Sequence, residues 1–454
     1  MLGFRSYVKN LLDEAAGGGI LHLEHPADLH FDSEEGSLHT LNTLKGVANG
    51  TTPITRKIDD RISFQLIKGE NGKVGVKYKG TGAQYAFSPA EVDKHYGEKP
   101  YAGSLKAVLA NAGKVLPHRT GEFQGGFAST PEERETTSTT IAHTPNTIRY
   151  AVPRRSPEGQ KLARSKVSMA IHTELSGAER IPTPILNTSE FRSHPDVHLI
   201  NHVVPNEERQ ILPQHKEKAA KHLEAAESLL ADHDHSHTAG HSQTLRQYVN
   251  SLVESGAPAS AKGYGKWLRE YHNKKIATVK TEKAKATKAA ARDAALDHVK
   301  TNADAFDRTF TIHNHLQQAT NELAKSLGKS AHGGYEHTFA GTDQKTGPEG
   351  FVAKEGTGIP LKIVDRTPEG FAAANRARSA RFKKPKLEES IITRGMRVIG
   401  TRIASGLEKV QPVNKIEPVK DQGYKFADEL AKAKKAAEDK KTPAAIIDIK
   451  NDRK

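Results

Sequence analysis

Apolar and polar positions change period several times along the chain, and each change predicts an element. Phe4, Val8, Leu11 and Leu12 recur at helical spacing until Gly17-Gly18-Gly19 ends the run. Between Lys57 and Phe127 the period drops to two. Ile62, Phe64 and Leu66 alternate with polar residues, Gly69 to Gly72 supplies a turn, and Val74, Val76 and Tyr78 alternate again, which predicts a hairpin. Ser88-Pro89-Ala90-Glu91 reads as a capping box, and Leu105, Val108 and Leu109 keep helical spacing up to Pro117. Gly121-Glu122-Phe123-Gln124-Gly125-Gly126-Phe127 returns to a strand. Thr130 to Thr140 is polar and predicts a loop. Two strand-like runs follow, 146–152 and 166–175, with a helix start at Ser156-Pro157 between them.

From about Gln214 to Lys329 the pattern becomes helical and rich in Ala, Lys, Glu, Gln and His. β character resumes after Gly333-Gly334, through Gly350 to Lys354 and Ile359 to Val364. Ile392, Met396, Ile399, Ile403, Leu407 and Val410 then form an amphipathic stripe, weakened by Gly395, Gly400 and Gly406. A Lys-rich tail follows Tyr424 to Leu430. Strands interleaved with short helices and hairpin signals predict a mixed α+β body instead of a parallel Rossmann sheet, and neither a GxGxxG nor a Walker-type loop is present. The expected organisation is an N-terminal helix (1–20), the first part of the body (21–210), a helical insertion (211–332), the closing strands (333–375) and a basic helical C-terminal region (376–454).

Composition narrows the function classes. Hydrophobic residues make up 35% and aromatic residues 6% of the 454, low for a wholly compact chain, so a globular body with extended attachments is expected. The net charge of +14 and pI near 9.5 favour a polyanionic partner such as nucleic acid. The absence of cysteine excludes disulfides, thiolate zinc sites and cysteine nucleophiles. No apolar run reaches the length of a membrane span, and Met1 to Leu12 is too charged for a secretory signal, so a soluble protein without a membrane partner is expected.

Histidine supplies one candidate chemistry. His22 and His25 are three apart and can share a zinc ion, with His30 nearby, although a polar turn before Pro26 is the plainer account. Asp232 to His237, followed by His241, is dense in ligands. A polar turn between helices has the same composition, and adjacent loop histidines impose no coordination geometry. Convergence of the two groups on one metal would make a hydrolase site, but nothing in the sequence brings them together.

The other candidate is an ordered set of charged residues. Lys57 and Asp59 flank Ile58, so both project from one face of a strand. Glu122 lies on a later strand, Glu349 stands five residues before Lys354, and Lys362 sits in an apolar run. The set resembles the covalent nucleotidyltransferases, the superfamily of ATP-dependent DNA and RNA ligases and capping enzymes. Lys57-Ile58-Asp59-Asp60 answers a Lys-x-Asp-Gly motif, Glu349-Gly350-Phe351-Val352-Ala353-Lys354 answers a Glu-Gly-hydrophobic motif, and Lys362 answers the closing lysine. Thr120 to Phe123 looks like the intermediate acidic motif, and Lys77 falls where a basic strand residue faces the nucleotide. Residues 20–205 and 345–375 are also similar to uncharacterised ligase-like proteins of large T4-like tailed phages.

The resemblance implies a ligase-type domain with antiparallel sheets, split by the helical insertion. It implies ATP and Mg2+ as cofactors and Lys57 as a nucleophile forming lysine-AMP, which passes to a nucleic-acid 5′-phosphate. Lys57 then needs a lowered pKa, supplied by burial and by Lys354, Lys362 and Lys77, which also hold phosphate. Asp59 would stand beside the lysine, Glu122 near the ribose or a metal, and Glu349 near magnesium. Host cytoplasm during infection, or the virion, is the implied setting. Asp60 in place of glycine, and Ile62 where arginine is common, depart from the pattern. They point to altered chemistry or to a retired catalyst acting as a virion or nucleic-acid-associated structural protein among phage structural partners. The helical, basic C-terminal region in place of a β-barrel fits an RNA-ligase-like arrangement better than a DNA ligase.

Overall fold

The computed structural model describes residues 23–376 apart from 81, 178–179, 239, 357, 371–372 and 374–375. The helix expected in 1–20, His22, the Ile392–Val410 stripe and the basic tail lie outside the described residues. The fold is mixed α+β, with antiparallel sheets and one parallel strand pair.

Three sheets organise the body. A small antiparallel sheet joins β1 (Ile54–Lys57), β12 (Gly350–Ala353) and β13 (Leu361–Ile363) in that order. The largest sheet runs β10 (Val197–Leu199), β8 (Val167–Ser176), β4 (Gly121–Ser129), β2 (Ile62–Lys68), β3 (Val74–Tyr78), with β9 (Ile181–Pro184) added to β8. The third orders β11 (Glu336–Phe339), β7 (Ile148–Pro153), β6 (Thr140–His143) and β5 (Arg134–Thr136). The hairpin expected from the alternation is the β2–β3 pair, with Leu66 opposite Val76.

Alternation explains how the large sheet is covered. Phe64, Leu66, Val76, Phe123, Phe127, Met169 and Ile171 face one side. There they pack on Val92 of helix α3 (Pro89–Tyr96) and on Leu105 and Val108 of helix α4 (Ala102–Ala112). Helix α3 starts where expected, with Ser88 Oγ accepting from the Glu91 N–H and the Glu91 carboxylate accepting from the Phe87 N–H. The opposite face carries Ser63, Gln65, Lys77, Gln124 and Gly126, and so stays polar.

The loop expected over 130–140 instead contains β5, paired with β6 through a turn in which Thr137 Oγ1 meets the backbone and hydroxyl of Thr140. Threonine suits an exposed edge strand, so no apolar alternation marks it. Arg134 anchors this edge by donating to the Leu162 and Ser165 carbonyls.

Between β10 and β11 the chain forms helices α6 (Pro213–Leu230), α7 (Ser242–Leu252), α8 (Ala261–Ala277), α9 (Glu282–Thr301) and α10 (Ala303–Ser330). They are not an appendage. Leu223 of α6 and Ile312, Leu316, Leu323 and Leu327 of α10 share one core with Ile54, Phe351 and Ile363 of the small sheet. Leu41 and Leu44 of α2 (Glu34–Ala48), which follows the short α1 (Pro26–Leu29), complete that core. Burying this row of leucines contributes about 1.5–3 kcal/mol per side chain before the ordering entropy is subtracted. Among the described residues no helix is long and apolar enough to cross a membrane.

Candidate active site

The small sheet brings together residues from opposite ends of the described chain. Lys57 closes β1 directly opposite Gly350, and the preceding residue, Glu349, forms an ion pair with the Lys57 ammonium. Their side chains are 30% and 25% exposed, so the pair is reachable from solvent. Lys362 sits opposite Val352, and alternation places Lys57, Gly350, Val352 and Lys362 on one face. The other face carries Ile54, Phe351, Ala353 and Ile363 into the core shared with α10. Gly350 has φ of 156°, and a Cβ there would lie 2.8 Å from Val364 Cγ2, so a larger residue would shift β12 and with it Glu349.

Asp60 continues this constellation onto the polar face of the large sheet. Its Oδ2 accepts from Ser63 Oγ at 2.6 Å, and the carboxylate lies against Gly126, where a Cβ would come 2.5 Å from that of Asp60. The glycine makes the room that the aspartate takes. Burial raises the Asp60 pKa on balance, and the Ser63 hydrogen bond and the charges of Lys57 and Lys79 act against that rise. Arg61 turns away to pair with Glu133.

Electrostatics here correct one expectation. Desolvation pulls the Lys57 pKa down, but Glu349, then Asp60 and Asp59, outweigh it, and the net shift is upward, opposite to the lowered value expected of a poised nucleophile. Lowered values fall on the neighbours. Lys79 drops to about 8, through desolvation first and the charges of Lys362 and Lys57 next, against the pull of Asp60. Lys362 is lowered by desolvation and by Lys57. His25 and His172, each at about 3 chiefly through desolvation, also feel the Lys57 charge.

Asp59 does not share the Lys57 face. It is 2% exposed, and its Oδ2 accepts from the Thr147 N–H, the Thr147 hydroxyl at 2.9 Å and the Ile148 N–H at 2.8 Å. Its own N–H donates to the Tyr150 hydroxyl at 2.9 Å. The residue ties the Lys57 turn to β7. Desolvation and the Glu349 charge raise it to about 6 despite those donors. Lys354 is also remote: its N–H reaches the Pro53 carbonyl, about 13 Å along the ladder from Gly350 at strand spacing, and only desolvation lowers it.

Glu122 and Lys77 form a second group on the same polar face. Glu122 takes a hydrogen bond from Arg180 Nε at 2.8 Å, with Tyr85 Oη 3.4 Å away, while the Lys77 ammonium stands 4.6 Å from the centre of the Tyr85 ring. Arg180, whose φ is 54°, also reaches Gln65 at 3.3 Å. By register Glu122 is four residues along β4 from Gly126, about 13 Å from the Asp60 end. Sequence reasoning missed Ser63, Lys79, His172 and Arg180. Lys79 was open to discovery by extending the alternation one step past Lys77, whereas Arg180 lies in a turn and carries no pattern.

The histidines divide. His25 belongs to the surroundings of Lys57, while His233 and His235 meet His30 instead. His241 stacks on His298, with ring centres 5.4 Å apart, and bonds the Tyr264 hydroxyl at 2.9 Å.

The chain belongs to a family of unknown function, DUF6267, which matches residues 21–379. No curated protein and no solved structure matches it.

Proposed function

We propose that this member of the DUF6267 family is an ATP-dependent nucleotidyltransferase with a ligase-type domain, acting on nucleic-acid ends. The observation that carries the reading is the meeting of Lys57, Glu349 and Lys362 on one solvent-reachable face, beside Lys79 and the polar face of the large sheet. A lysine, an acidic partner and flanking cations are what phosphoryl chemistry at a nucleotide needs.

In the proposed reaction ATP lies along the polar face, its phosphates toward Lys79 and Lys362 and its nucleoside toward Gln65, Lys77 and Glu122. Neutral Lys57 Nζ attacks the α-phosphorus. A P–N bond forms, the α–β anhydride bond breaks, pyrophosphate leaves, and the lysine proton passes to a neighbouring carboxylate. A nucleic-acid 5′-phosphate oxygen then attacks the AMP phosphorus, a P–O–P bond forms, the P–N bond breaks, and Lys57 leaves as the amine with its proton restored. Glu349, a half-exposed oxygen donor, is the residue suited to hold Mg2+, and the ion would supply charge to the phosphates while drawing the carboxylate away from Lys57. Asp59 fixes the turn that aims the lysine and contacts no nucleotide. A phage setting follows from the sequence resemblance alone.

One observation favours the alternative of a non-catalytic, virion-associated or nucleic-acid-associated protein: the Lys57–Glu349 pair keeps the lysine protonated. Incubation with α-labelled ATP and Mg2+ separates the two. A covalent, Lys57-dependent label supports the enzyme. An unlabelled wild-type chain, where a known ligase labels, overturns it.

A further inference from the structure

We propose that His30, His233 and His235 form a zinc site that clamps the N-terminal helices to the helical block. The three rings come from chain regions about two hundred residues apart, yet one nitrogen of each lies within 4.8 Å of the others. Ring centres are 5.2 Å apart for His30–His233, 5.2 Å for His30–His235 and 4.4 Å for His233–His235. His30 is fully buried at the end of α1, and the other two lie in the turn after α6.

Hydrogen bonding explains why these nitrogens are ligands and not packing. His30 Nδ1 stands 2.8 Å from Ser37 Oγ, which spends its own proton on the Ser33 carbonyl. The hydroxyl is thus the acceptor, the His30 proton sits on Nδ1, and Nε2 is left as a lone pair. His233 Nε2 faces Thr309 Oγ1, which likewise donates to the Ala305 carbonyl. His235 Nε2 also points at Ser37 Oγ, at 3.5 Å. Each ring has one nitrogen turned to a hydroxyl oxygen that has already used its proton, the outer arrangement that orients metal-binding imidazoles.

Of the nitrogens left over, His30 Nε2 and His235 Nδ1 are buried and make no hydrogen bond. The Thr309 carbonyl acts on the His30 ring only as the weakest of its influences. Asp234, Glu34 and Glu35 act on the His233–His235 pair and supply negative charge near the ion. An all-imidazole set selects a borderline transition metal over magnesium or calcium, and zinc accepts three histidines with solvent in the fourth position. The site is independent of the proposed nucleotide chemistry.

The test uses the full chain made without a polyhistidine tag, exposed to zinc, dialysed and assayed for metal by mass spectrometry. One zinc per chain is expected in the wild type and in the control His298→Gln, with loss in His30→Gln and in His233→Gln. Cobalt in place of zinc should give the strong visible bands of a tetrahedral ion. Ser37→Ala, which keeps all three ligands, should weaken zinc binding by roughly tenfold. A folded wild-type chain that retains no zinc and gives only the octahedral cobalt spectrum overturns the proposal, whatever the variants do. Equal metal loss in His298→Gln and His233→Gln overturns it as well.

Discussion

Two groups among the described residues carry the residue types of catalysis, and they differ in access. Ser168, His198 and Glu158 are linked by hydrogen bonds of 2.7 Å at each step, with Tyr335 Oη 3.1 Å from the glutamate. On paper that is a hydrolase relay. Yet Ser168 is 0% and His198 1% exposed, so the hydroxyl meets no substrate and the chain serves to satisfy buried polar atoms between β8, β10 and α5 (Pro157–Arg164). Lys57 and Glu349 make a plainer pair, but it faces solvent beside two further lysines on a polar sheet face. Linked polar residues alone do not identify a site; a reachable reacting atom is also required.

The contrast breaks most visibly under substitution. Lys57→Ala should abolish covalent labelling by α-labelled ATP, while Ser168→Ala should leave it intact; labelling lost in both, with both chains folded, would erase the distinction. Stability should move the other way. Ser168→Ala strands a buried imidazole and should cost about 1–3 kcal/mol in urea unfolding, against no more than about 1 kcal/mol for removing the half-exposed Lys57 pair. A smaller effect concerns the proton on Lys57. Because Glu349 is the largest contribution holding its pKa up, Glu349→Gln in the absence of Mg2+ should shift the pH profile of Lys57 modification by an amine reagent to lower pH. An unchanged profile would remove the pair from the electrostatic account.

The remaining effect is a pH dependence, and it concerns Asp59. Its folded pKa of about 6 lies above the ordinary 3.8, so the folded state takes up a proton before the unfolded state does, and the contribution of Asp59 to stability should grow as pH falls from about 6 towards 4. Asp59→Asn should flatten that part of the curve. A wild-type chain whose stability is governed in this window by Asp59 losing its proton bonds would show the opposite slope.

Much of the body could be read from alternation, because Ile62, Phe64 and Leu66 face a core while Ser63 and Gln65 do not. The alignment of Lys57 with Glu349 was legible only as motif order; their contact depends on β1 pairing with β12, which no local pattern states. Asp59 shows the limit of strand logic. Two residues from Lys57, it should share its face, but β1 ends at Lys57, and the next turn sends the carboxylate inward to Thr147. The upward shift of Lys57 was hidden for the same reason as the His30 cluster, since each depends on partners supplied by tertiary structure. The polar threonines of β5 concealed an edge strand that burial never marked.

The pairing of β1 with β12 also sets a schedule. During synthesis Lys57 leaves the ribosome about 290 residues before Glu349 does. Until then its strand has no antiparallel neighbour on that edge, and contacts of such long range are slow to form. A nascent or truncated chain ending before β12 therefore carries the lysine without its acidic partner, and whatever chemistry resides there can begin only when β12 arrives.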